Sequence, residues 1–218
     1  MENSGSSSAY EVLHAFNRWP TWMWANREMV DLTEWLKSHN KGVDNQDKKV
    51  GFYGLDVYSL WESLDAVMGY LQKIYPDVMK STVEANRCFE PYGRDIEEYA
   101  RATAFIPESC EDEVANMLME LRGKAGGGED DEGRFKVEGW EPHFNAEQNA
   151  IVTKNAELYY RTMMKGGALS WNIRDHHMMN TLERLMKFHG SDAKSIVWAH
   201  KTHTLVTQEL LTCGKPKW

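Results

Sequence analysis

Two histidines three residues apart, His200 and His203, follow directly on an apolar run, Ile196-Val197-Trp198-Ala199. Imidazole titrates near pH 6.5, so such a pair can act as a general base or as hydrogen-bonding groups in a cleft. His-x-x-His can also hold zinc on a helical turn, although a third ligand at suitable spacing is not evident. Structural hydrogen bonds from two loop histidines are the plainer alternative. A second acid-bearing run, Val50-Gly51-Phe52-Tyr53-Gly54-Leu55, ends on Asp56. Further on, Arg174-Asp175-His176-His177 places Arg174 and His177 on one helical face, where they could hold an anionic or carbonyl group. A surface ion pair between Arg174 and a neighbouring acid is the competing reading. Glu147 and Asn149 are read as structural. The chain contains no GxSxG elbow, P-loop or GxGxxG, so serine-nucleophile and nucleotide chemistry lose support.

These groups need elements to carry them. Both apolar runs, 50–56 and 195–199, read as buried strands of the continuous kind found in covered parallel sheets, and in open sheets reactive groups sit at the carboxyl ends of strands. That geometry would bring Asp56 and the histidine pair to one side. Two strands fall short of the usual four to six or so. Helices account for most of the rest. Spacing predicts one from about Trp24 to Asn40, and another opened by Ser59 and Glu62 with Leu60, Leu64, Val67, Met68 and Leu71 as its apolar stripe. Others follow at about 77–88, 94–103 and 109–122, the last capped by Ser109 with Val114, Met117, Leu118 and Leu121 facing inward. Two long ones run from about Pro142 to Met164 and from an Asn172 cap to His189. The glycine and acid run 123–133 can bury nothing and reads as a loop.

The chain has 218 residues with 42% hydrophobic and 27% charged, enough for one sizeable core, and a net charge of −8. That charge argues against a nucleic-acid or anionic-membrane partner. Nine tryptophans and twelve methionines suit either core filling or aromatic-lined clefts. Three cysteines, Cys88, Cys110 and Cys213, make neither an even disulfide set nor a CxxC pair, which implies a reducing setting without disulfides. The start MENSGSSSAY has no signal-peptide pattern, and the expected location is cytoplasmic.

The segments WPTWMWANREMVDLTEWLKSHN, VGFYGLDVYSLWESLDAVMGYL, SCEDEV, FNAEQNA, ELYYRTM, SWNIRDHHMMNTLERL and VWAH resemble, in this order and at fitting spacings, the erythromycin esterase family. The similarity runs from about residue 15 to His203. It implies an α/β fold with extensive helical decoration and hydrolysis of an ester or macrolide lactone by water, histidine serving as general base. His200 and His203 match the catalytic pair of the family's Ala-His-Asn-x-His segment, with Lys201 in place of asparagine. Asp56 matches the acid of Tyr-Gly-Leu-Asp, and Arg174, Asp175 and His177 match an Arg-Asp-x-His-Met segment, so Asp56, Arg174 and His177 become candidate substrate-binding residues.

The family's Gly-Glu-x-x-His-Gly-like segment has no counterpart here, since His14 lacks the glycines and the glutamate. The resemblance therefore implies an α/β, helix-rich fragment with a small, incomplete, mostly parallel sheet. It would consist of a polar extension (1–14), a partial domain (15–203) and an aberrant tail (204–218). The tail is read as frameshifted, because shifted codons for Thr204 to Thr212 can encode the Gly-Asp-Ala-Arg-Ala-Thr-like run usual at that place. A small-molecule ester or lactone is the expected partner, with no metal or other cofactor, no nucleic acid and no membrane. Weak or absent turnover is expected of this chain. The alternatives are a non-catalytic product that binds a ligand or protein, and a metal-dependent hydrolase using His200 and His203.

Overall fold

The computed structural model describes residues 8–15, 21–44, 48–76, 79–93, 95–105, 109–126, 140–166 and 168–199. The chain divides into two compact units, 1–54 and 55–218. In the first, Ser8 opens α1 (Ala9–His14) with a capping box: its hydroxyl accepts from the Glu11 N–H while the Glu11 carboxylate accepts from the Ser8 N–H. Asn26 caps α2 (Arg27–Lys41) by accepting from the Met29 N–H at 2.9 Å, and Met29 is fully buried.

The expected strand at 50–56 is corrected: residues 50–56 carry no regular structure. A strand must satisfy its backbone through a neighbour, whereas the Asn40 side-chain amide takes both polar groups of Val50, each at 2.9 Å. Phe52 is left 62% exposed. The run 195–199 likewise carries no regular structure, with Ile196, Val197 and Trp198 exposed. Among the described residues there is accordingly no sheet, and the helix-rich part of the expectation is what stands.

The second unit is a helical assembly: α3 (Leu60–Ile74), α4 (Met79–Phe89), α5 (Ile96–Thr103), α6 (Glu111–Gly126), α7 (Trp140–Met163) and α8 (Leu169–His189). Helix α7 is its axis, packing on α3, α5, α6 and α8. Its innermost positions are small: Ala146, Ala150, Thr153 and Ala156 are buried, so neighbouring backbones can approach closely, and the flanking Tyr159 and Tyr160 supply bulk. The stripe of α3 is as the spacing predicts, with Leu60, Leu64, Val67 and Leu71 at most 1% exposed. Val114, Met117, Leu118 and Leu121 of α6 are buried too.

The caps differ more than the stripes. Ser59 stands at the N-cap of α3 but makes no cap bond, its hydroxyl pairing with the Ser63 hydroxyl at 3.1 Å instead. Helix α8 begins at Leu169, three residues ahead of the expected Asn172 cap, and the Asn172 N–H already bonds to the Ala168 carbonyl.

The expectation of a chain without disulfides is corrected as well. Cys88 near the end of α4 and Cys110 just before α6 are joined, because α4 and α6 pack side by side; an odd cysteine total does not prevent one pair. Disulfides persist in oxidising settings, so the step from cysteine number to a reducing compartment lapses. No helix among the described residues is long and apolar enough to cross a membrane. Behind the bridge lies a buried polar chain. The Cys110 N–H donates to the Tyr99 hydroxyl, which donates to Glu157 at 2.7 Å, and Glu157 also accepts from Arg161 Nε at 2.7 Å. Glu157 is 1% exposed, and such a carboxylate is tolerable only with this many partners.

Candidate functional site

Asp56 and Arg174 face each other across 118 residues of chain. Arg174 Nε donates to Asp56 Oδ1 at 2.8 Å and Nη2 donates to Oδ2 at 2.7 Å, a two-pronged pairing that fixes the guanidinium plane. Asp56 is itself anchored, its Oδ1 accepting from the Val57 N–H at 2.8 Å while Val57 is fully buried. The Tyr58 ring lies 4.5 Å from the guanidinium carbon and the Trp171 ring 5.8 Å from it, so the cation rests among aromatic faces. The Tyr58 and Tyr159 hydroxyls meet at 3.4 Å.

Burial works against the Arg174 charge, but the Asp56 hydrogen bonds and charge outweigh it, and its pKa moves up. Burial likewise pushes the Tyr58 phenol up, helped by Tyr159 and opposed by Arg174. Both groups keep one protonation state at neutral pH. They can orient and stabilise charge but not shuttle protons.

His177 is one turn along α8 from Arg174 and turns inward, only 1% exposed. The Asn155 side-chain amide donates to Nδ1 at 2.8 Å, which leaves the proton on Nε2, pointing at the Thr181 hydroxyl 3.4 Å away. Arg184 braces that hydroxyl at 2.9 Å and donates to the Gln148 side-chain carbonyl at 2.6 Å. Burial, with the Arg184 charge adding and Asp56 opposing, pulls the His177 pKa down to about 4. The imidazole is neutral at pH 7 and both its nitrogens are engaged.

The structure thus brings together Asp56, Arg174 and His177, three of the five candidates. His200 and His203 lie outside the described residues, and so does their expected approach to Asp56. Among the described residues no three His, Cys, Asp or Glu side chains gather as a metal would require. Glu147 pairs with Arg122 at 2.7 Å and Asn149 donates to the Asn145 carbonyl, both structural arrangements.

Sequence reasoning missed Tyr58, Asn155, Tyr159, Trp171 and Thr181. Three had a local signal: Tyr58 follows Asp56 by two residues, Trp171 precedes Arg174 by three on one helix, and Thr181 follows His177 by four on the same helix face. Asn155 and Tyr159 come from α7, and only packing relates them to α8. One open cleft of about 410 Å³, lined by Glu84, Arg87, Cys88, Asp112, Glu113 and Asn116, shares no residue with this site.

Residues 2–213 match the family model described as erythromycin esterase. No solved structure matches the chain.

Proposed function

Because the chain belongs to the erythromycin esterase family, we propose that it is a hydrolase of esters or macrolide lactones, in which the Asp56–Arg174 pair holds the acyl group and His200 and His203 act on water. The observation that carries this reading is the Arg174 guanidinium, locked by Asp56 and flanked by a Tyr58 and a Trp171 that are 36% and 51% exposed. A planar, fixed cation beside accessible aromatic surface suits a carbonyl with an apolar ring attached. In the proposed step a histidine takes a proton from water as the oxygen attacks the carbonyl carbon. Negative charge then develops on the carbonyl oxygen, where Arg174 stabilises it, and collapse expels the alkoxide, which takes the proton back. His177 supports from beneath: its buried, neutral ring fixes the turn of α8 that presents Arg174.

Purified full chain incubated with erythromycin and with p-nitrophenyl acetate tests this. The expected result is slow release of product, lost in His200→Ala and lowered roughly a hundredfold in Arg174→Gln, the size typical of removing one oxyanion donor. No product from either substrate, or full activity in His200→Ala, overturns it. Binding without turnover is the second reading, favoured by the same exposed Tyr58 and Trp171; titration calorimetry giving erythromycin binding alongside zero hydrolysis would select it.

A further inference from the structure

We propose that the Cys88–Cys110 bond is a reducible latch, opened from the acidic cleft by thiols that carry no net negative charge. The two sulfurs are unequally placed: Cys110 is 1% exposed, whereas Cys88 is half-buried and lines the open cleft of about 410 Å³. An incoming thiolate therefore meets the Cys88 sulfur, and Cys110 is the leaving group. Three carboxylates, Glu84, Asp112 and Glu113, share the cleft with one guanidinium, Arg87. Glu84 has Lys80 at 3.8 Å, but both side chains are largely exposed and water screens the pair. Glu113 Oε2 is buried without a hydrogen-bond partner among the described residues. The field at the Cys88 sulfur is negative and disfavours anionic reductants.

The step is ordinary thiol–disulfide exchange. The reductant's thiolate bonds to Cys88 Sγ, the Cys88–Cys110 bond breaks, and its electron pair leaves on Cys110 Sγ, which takes a proton from water. A second reductant thiol then displaces the Cys88 thiol, so two reductant thiols become one disulfide while the protein gains two thiols. The lost bond joins α4 to the start of α6, and the Cys110 N–H is the first donor in the chain running through Tyr99 to Glu157 on α7. Reduction therefore loosens a seam that reaches the axis of the unit.

The test reduces the full-length protein with cysteamine, which is cationic, and with glutathione, which is anionic. Thiols are counted in guanidinium, where the oxidised protein shows one and the reduced protein three. Each rate is divided by thiolate concentration and by the same reagent's rate on a small neutral disulfide. Cysteamine is expected to be favoured at least about threefold at low salt, with the preference collapsing in 1 M NaCl and in the Glu84→Gln/Asp112→Asn/Glu113→Gln variant. Full reduction is expected to lower the Tm by several degrees, with no response in Cys88→Ser/Cys110→Ser. Equal normalised rates at low salt, or a Tm unmoved by complete reduction, overturn the proposal.

Discussion

His177 shows how one buried side chain can set the pH response of a fold. Its pKa of about 4 lies below the unfolded value near 6.5, so the unfolded chain binds the extra proton first as pH falls. Stability from this group is complete above about pH 6.5, declines between 6.5 and 4, and changes no further below that. The full span is on the order of 3 kcal/mol. His143, pulled down mainly by burial, acts with the same sign. Urea denaturation at pH 7 and pH 5 should show the loss, and His177→Gln should flatten the pH dependence while lowering stability at pH 7. An unchanged slope in the variant would remove His177 from the account. Asp56, Arg174 and His177 were legible in the sequence because motif and helical spacing singled them out. The inward turn of His177 was not, since the donor it needs, Asn155, comes from another helix.

Among the elements, apolar stripes were easier to read than polar insides. Helix α3 needed only its leucines and Val67. Helix α7 hides its logic in alanines, which carry little pattern, and α8 buries Ser170, Asp175, His177 and Thr181 while leaving Leu169 and Trp171 exposed. The predicted strands failed because composition specifies a taste for extended chain but cannot supply the neighbouring strand, and Asn40 took one backbone instead. The small residues of α7 invite a direct check. Ala150 is fully buried, so Ala150→Leu should overpack the helix contacts and cost about 1–3 kcal/mol, measured by thermal melting, whereas the same exchange on an exposed helical face should be neutral. The buried carboxylate of Glu157, on the same helix, offers a second. Arg161→Met strips Glu157 of its cation and should cost roughly 3 kcal/mol, and Glu157→Leu with Arg161→Met should recover part of that loss.

At the scale of the whole molecule, the family and the helical character were readable, while the division at Gly54 and the Cys88–Cys110 bond were not. The bond closes a separation of 22 residues, and such a loop is worth roughly 3 kcal/mol through the unfolded chain; a count of cysteines reveals nothing about which helices meet. The place of α7 carries a further consequence, for the order in which the protein can be made. Helices α3, α5 and α6 all precede it in the chain yet find their shared partner in it. During synthesis α3 and α6 can meet α4 but still lack the surface that α7 will supply, and the core they share with it cannot close until Met163 has cleared the ribosome. A nascent chain halted after Gly126 should therefore be protease-sensitive and bound by chaperones. One extended past His189 and tethered by a linker that clears the exit tunnel should be protected in a single step.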